Sequence, residues 1–200
     1  MADDGGFGFL EVSVDDAAPR LLGCELVSSI GGEEVRVRIV EVEAYDQFDP
    51  ASHTFRGETP RNRAMFLGAG HLYVYRSHGI HFCCNVVTGE AGIGSGVLIR
   101  GAEPVHGIDA MIRRRGRGGA ELSNGPGKIG QALAADLSLS GTSLADGPIR
   151  LIRRPALSPE QVGIGVRVGI SKAADLPRRF YVRGNPYVGR HHGAPGLSEG

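Results

Sequence analysis

The chain has 200 residues, 41% of them apolar and 22% charged, the balance of a globular domain rather than of a collagenous, low-complexity or disordered chain. Its formal net charge is zero, which by itself speaks weakly against nucleic acid, and no apolar run approaches the roughly 20 residues that span a bilayer. Three cysteines, two of them adjacent (Cys83 and Cys84), make no disulfide framework, and the acidic start MADDGGFGFL lacks the basic region of a secretory signal. A reduced, cytoplasmic setting is expected.

Residues 1–8 and 189–200 are expected to be flexible tails. Asp15 and Asp16 ahead of AAPRLLGCELVSS predict a first helix with acidic caps. Residues 33–44 alternate Val and Ile with charge and predict a strand. Thr59 and Pro60, as N-cap and first helical residue, predict a short helix over RNRAMF. Residues 71–77 and 80–88 flank Gly79 and predict a hairpin. Residues 96–100 predict a further strand and 104–115 a helix whose basic last turn complements its dipole. The turn 124–127 feeds a helix in KIGQALA, and 149–153, 163–170 and 179–183 predict late strands. The expected fold class is α+β: one domain, a mostly antiparallel curved β-sheet of about seven strands, short surrounding helices and a protruding β-hairpin.

Charge is distributed unevenly. Residues 1–50 carry 3 Lys and Arg against 12 Asp and Glu, whereas residues 51–128 carry 10 against 5 and residues 129–200 carry 9 against 5. Of the 22 basic residues 20 are Arg, whose forked guanidinium suits phosphate, although a mixed solvated surface has the same composition.

Glu43 stands at the end of the alternating strand, followed by an aromatic and basic run. Val35, Val37 and Ile39 are apolar at odd positions, so Glu41 and Glu43 are expected on the buried face of that strand. A buried carboxylate must be paired or its pKa rises. Two readings stand: a structural Glu–Arg pair, or a general base with Arg100 as partner. Tyr45, His53, Tyr73, Tyr75, His78 and His81 form an aromatic set, and Tyr73 and Tyr75 share a strand face that suits a flat ligand, or simply a core. The run of His78, His81, Cys83 and Cys84 alternates between strand faces and closes no metal tetrahedron, so no metal site is expected. AGIGSGV leads into a strand rather than from strand to helix, against a dinucleotide fingerprint. GPGKIG has Ile129 where a P-loop needs Ser or Thr for magnesium, yet Lys128 at that helix start suits a backbone phosphate.

Six blocks, RIVEVEAY, SHTFRGETPRNRAMF, GHLYVYRSHGIHFCCNVV, VLIRGAEP, LSNGPGKIGQAL and RRFYVRGNPYVG, fall in one order between Ala17 and Val188. In these blocks the chain resembles the alkyladenine (3-methyladenine) DNA glycosylase family. The resemblance implies a monofunctional glycosylase that flips an alkylated or deaminated purine out of duplex DNA and hydrolyses its N-glycosidic bond. It implies Glu43 as the base that activates water, Arg100 as the residue that helps hold that water, and the Val168 carbonyl as part of the water site. Tyr45, His53 and Tyr75 would contact the flipped base, and Asn85 would disfavour the exocyclic amine of guanine. His78, where the family carries Tyr, would fill the gap left in the duplex. Arg61, Arg63 and Lys128 are the expected contacts to the DNA backbone. No cofactor is implied, and the partner is double-stranded DNA containing damaged purines, with no membrane. A monomer is expected, since one lesion needs one pocket, with nucleoid association if the source is bacterial. The rival readings are a non-catalytic nucleic-acid binding module and a nucleoside N-ribohydrolase.

Overall fold

Two long strands rich in Val and Ile, residues whose stiff branched side chains suit a pleated surface, set the architecture. In the computed structural model, which describes residues 6–189, β2 (Val35–Asp46) and β5 (Ser95–His106) pair antiparallel along most of their length. Around them lie β1 (Glu25–Ser28), β3 (Leu72–Ser77), β4 (His81–Val87), β6 (Ile149–Ile152), β7 (Val162–Gly165) and β8 (Arg179–Val182). The eight strands form one open, antiparallel sheet in the order β3-β4-β5-β2-β1-β6, with β8 pairing β2 and β7 pairing β8. Helices α1 (Val14–Leu21), α2 (Ile108–Arg115) and α3 (Pro126–Ala132) complete an α+β domain. α1 packs on β2 and α3 on β4, so one sheet face holds the main core.

The other face becomes available through a change of parity. Val35, Val37 and Ile39 of β2 enter the main core at odd positions, and then Val42 and Ala44 enter it at even ones. The ladder slips at this point: Ile39 pairs Ala102, Glu41 pairs Gly101 and Val42 pairs Ile99. Such bulges re-aim side chains. Glu41 and Glu43 are therefore buried, but on the face opposite the one that the alternation predicts. The second edge of β2 is divided as well, with β1 pairing residues 35–38 and β8 pairing residues 41–43.

Several elements differ from expectation. The first helix stops at Leu21, capped by the Ser13 hydroxyl on the Asp16 N–H, and residues 25–28 form β1 instead of continuing it. All four β1 residues are buried, so no alternation marked the strand. After Pro60 there is only a 3-10 turn, Arg63–Phe66, because Thr59 and Asn62 satisfy each other's amides and close a tight turn first. The helix predicted from 104 starts at Ile108, since β5 stays paired with β2 through His106. The late strand predicted over 163–170 ends at Gly165, and the chain then turns across β2. The expected tails lie mostly outside the described residues. Where they are described, Phe7 packs on the core and the Gly189 N–H donates to Glu41 at 2.7 Å.

β3 and β4 form the expected hairpin, with His78 and Gly79 both at positive φ, 50° and 71°, at its exposed tip. Gly101, opposite Glu41 at the bulge, meets a different constraint. A Cβ there would lie 2.5 Å from the Tyr187 carbonyl oxygen and 3.0 Å from the Glu41 Cβ. Gly101→Ala is expected to lower stability by about 1–3 kcal/mol, as overpacking of a dense interior does. Urea unfolding checks this; an unchanged midpoint would show that the terminal segment is not held against the bulge.

Candidate active site

The parity change brings charged groups into a dry setting. Glu41 and Glu43 are both 0% exposed, and as residues i and i+2 of β2 they share a face. Arg100, on the adjoining strand, lies with its Nε 3.4 Å from Oε1 of each. Arg100 donates its Nε–H to Glu41 and is an ion-pair partner of Glu43, which accepts two hydrogen bonds, from the Tyr45 hydroxyl on Oε2 at 2.8 Å and from the Val168 N–H on Oε1 at 2.7 Å. Glu41 accepts from Arg179 Nε at 2.8 Å. Burial pushes the Glu43 pKa above the usual carboxylate range; Arg100, the Val168 amide and the Tyr45 hydroxyl oppose that rise without cancelling it, and Glu41 adds to it.

Arg167 fixes the segment that carries Val168. Its buried guanidinium donates to the Ala44 carbonyl at 3.0 Å and the Ala173 carbonyl at 3.1 Å, and forms an ion pair with buried Asp49. It also lies 4.6 Å over the Tyr45 ring. Burial acts to raise the Asp49 pKa, but the hydrogen bonds from Arg167 and the Ala51 N–H, with the charges of Arg167 and Arg178, outweigh it and hold the carboxyl below its ordinary range. One arginine thus orients both the backbone donor and the aromatic ring that flank Glu43.

Tyr45 forms part of the wall of a cavity of about 200 Å³, lined also by Ala51, His53, Met65, Tyr73, Tyr75, Ser77, Asn85, Leu98, Gly169 and Ile170. His53 stands at its mouth with its ring 4.6 Å from that of Tyr75 and perpendicular to it, and its Nδ1 is 2.9 Å from the Tyr73 hydroxyl. Desolvation of the imidazole, and then the charge of Arg61, hold the His53 pKa below its ordinary value. Burial raises the phenol of Tyr73 to about 12, so it keeps its proton. Asn85 is buried against the cavity and donates to the Tyr73 carbonyl at 3.1 Å. The cavity can hold a flat, mainly apolar ring with a few polar edge contacts, and Glu43 sits behind its Tyr45 wall.

The expected site residues divide into groups. Glu43, Arg100, Val168 and Tyr45 lie together, and Tyr45, His53, Tyr75 and Asn85 line one cavity. Val168 meets Glu43 through its N–H, whereas the expectation concerned its carbonyl. His78 is at the hairpin tip, exposed, with Nδ1 3.0 Å from the Ser77 hydroxyl. Arg61 and Arg63 line a separate open groove with Arg76, joined to the aromatic cavity through Tyr75. Lys128 lies apart at the start of α3, its Nζ 2.7 Å from both Glu121 and Asn124. Cys83 is on the cavity side of β4 and Cys84 in the main core, opposite faces of one strand. Among the described residues no helix is long and apolar enough to cross a membrane. The reading from sequence missed Arg167, Asp49, Arg179, Met65, Leu98 and Ile170. Of these only Leu98, two residues before Arg100, and Ile170, two after Val168, carried a positional signal.

The burial of Glu43 has a stability signature. Its folded-state pKa lies above the unfolded value, so what this group adds to stability is fully present below about pH 4.3 and is lost as pH rises through the folded value. Glu43→Gln is therefore expected to melt higher than the parent at neutral pH, by about 1.4 kcal/mol per unit of elevation, with the gap closing towards pH 4. Calorimetry across pH 4–8 checks this, and a variant that melts lower at every pH would mean that the carboxylate is net stabilising.

Residues 8–186 match the family described as Methylpurine-DNA glycosylase. A protein of Methanoculleus marisnigri named "Putative 3-methyladenine DNA glycosylase" is 53% identical over 189 residues, covering 91% of this chain and 96% of its own. Proteins of the same name from Carboxydothermus hydrogenoformans and Nitrosospira multiformis are each 46% identical, over 86% and 91% of this chain and 92% of their own. The chain belongs to the methylpurine-DNA glycosylase family, and it is a DNA glycosylase, a hydrolase acting on N-glycosyl bonds.

Proposed function

We propose that the protein is a monofunctional glycosylase that takes alkylated or deaminated purines out of duplex DNA and hydrolyses their N-glycosidic bond with a water activated by Glu43. The lesions are of the 3-methyladenine, 7-methylguanine, hypoxanthine and ethenoadenine class. The observation that carries this reading is the buried Glu43 carboxylate, held by Arg100, Val168 and Tyr45 behind the wall of an aromatic cavity. A carboxylate has about four acceptor sites, and the two hydrogen bonds from Tyr45 and Val168, beside the Arg100 ion pair, leave capacity for a water.

The chemistry follows from charge. Extruding a nucleotide costs a few kcal/mol, least for a damaged base that pairs poorly. The flipped purine enters the cavity beside Tyr45, His53 and Tyr75, where a cationic lesion is favoured by the electron-rich ring faces. Asn85 at the cavity wall crowds the exocyclic amine of normal guanine. As the bond to the base lengthens, positive charge builds on the sugar. Glu43 stabilises that charge and accepts a proton from the attacking water. Arg100 favours the ionised form of Glu43 against the effect of burial and helps hold the water.

Recognition of duplex DNA rests on other residues. His78, presented at positive φ on the hairpin tip, fills the gap left by the extruded nucleotide. Arg61 and Arg63, in the neighbouring groove, take backbone phosphates. Lys128 takes one only by exchanging its contact with Glu121. The enzyme acts as a monomer in the cytoplasm. A non-catalytic binding module has no use for a desolvated glutamate, and a nucleoside hydrolase has none for the exposed arginines or the hairpin.

Glu43→Gln is expected to bind lesion-containing duplex as the parent does while base release falls by about 10²–10⁴, the span of general-base contributions. Oligonucleotides carrying 3-methyladenine, hypoxanthine or ethenoadenine, scored for alkali-labile strand breaks, check this. Near-normal release by the variant would remove Glu43 from the mechanism. His78→Ala is expected to slow excision from duplex more than from single strands, and equal slowing on both would show that His78 does not plug the gap.

A further inference from the structure

Arg100 faces two carboxylates at once. Its Nε is 3.4 Å from Oε1 of Glu41 and 3.4 Å from Oε1 of Glu43, and both glutamates are fully buried. Two carboxylates sharing one guanidinium in a dry site compete for it. Arg179 changes that balance. It pairs with Glu43 in the β2–β8 ladder, yet its side chain turns to Glu41, with Nε 2.8 Å from Oε1. It is itself buried and is fixed by the Tyr181 ring, 4.8 Å beneath its guanidinium. The Gly189 N–H adds a donor on Glu41 Oε2. Glu41 is therefore held more closely by Arg179 than by Arg100.

We propose that Arg179 is a positioning residue for base release: by holding Glu41, it leaves the Arg100 guanidinium to Glu43, the general base. This rests on the role of Glu43 proposed above. Arg179 does not line the aromatic cavity, so it acts through Glu41 and Arg100. Among the described residues, the charged and titratable groups facing Glu43 are Glu41 and Tyr45 on β2, Tyr75 on β3, Arg100 on β5 and Arg179 on β8, with Arg167 behind Tyr45. The two phenols stay protonated, because burial and the Glu43 charge both raise them. A further local variable is how the positive charge of Arg100 and Arg179 is shared between the glutamates.

The test is the acid limb of single-turnover base release from a duplex with one 7-methylguanine, a cationic base that leaves without a general acid. Ionised Glu43 is the active form, so anything that raises its pKa moves the limb to higher pH. Arg179→Gln lets Glu41 draw Arg100 away and is expected to move the limb up by about one pH unit, with the rate recovering above it. Glu41→Gln removes a like charge and is expected to move it down by a similar amount. The double variant removes a neutral pair and is expected to return the limb near the parent position. If Arg179→Gln does not fold, the isosteric Glu41→Gln reads the same charge alone. Limbs that do not move, that move in the same direction in both single variants, or a uniform loss of rate at every pH would overturn the proposal and leave Arg179 a structural residue. Base release retained by Glu43→Gln would instead overturn the role of Glu43, so the two failures are distinguishable.

Discussion

The site depends on one arrangement: a carboxylate withdrawn from water and only partly compensated. Burying an ionised group costs several kcal/mol unless it is paired and hydrogen-bonded. Glu43 has a guanidinium at 3.4 Å that it shares with Glu41, and it has two short hydrogen bonds. Desolvation still outweighs these partners, which is why its pKa rises while that of buried Asp49, paired with Arg167, falls. The two carboxylates differ in setting: Asp49 is held in an ion pair that ties the segment bearing Val168 to β2, and Glu43 is left with a raised proton affinity, as the proposed general base requires.

The scaffold supplies this arrangement by a local irregularity. Without the slip in the β2–β5 ladder, Glu43 would follow Val35, Val37 and Ile39 into the apolar core. With it, Glu41, Glu43, Leu98 and Arg100 turn to the second face. There β8 completes the edge of β2, and Arg167 holds the segment bearing Val168 over that face. The aromatic cavity grows from the same face, since Tyr73, Tyr75 and Asn85 alternate on β3 and β4 with the core residues Leu72, Val74, Cys84 and Val86. The buried carboxylates and the aromatic cavity thus share one sheet surface, backed by the main core.

Much of this was legible in the residues. Alternation located β2, the runs flanking Gly79 located β3 and β4, and Glu43, Arg100, Tyr45, Tyr75 and Asn85, singled out from strand pattern and from six ordered blocks, lie around one buried site and its cavity. The bulge was not legible, because VRIVEVEAY reads equally well as a strand covered on both faces, and only the partner strand shows where parity changes. β1 was absorbed into the first helix because a four-residue strand buried throughout has no period. Arg167 and Arg179 were not legible either. Nothing local to VRVGI or RRFYV shows that these side chains cross to Ala44, Asp49 or Glu41, contacts that span more than a hundred residues of chain.

The most direct measurement is the titration of Glu43 itself. Carbon-13 labelling of glutamate side chains, with the Glu43 signal identified by its loss in Glu43→Gln, gives its ionisation midpoint in the folded protein. The account predicts a midpoint above the ordinary value of about 4.3, coinciding with the pH at which 7-methylguanine release reaches half its plateau. A midpoint at or below the ordinary value, or one unrelated to the rate, would contradict it.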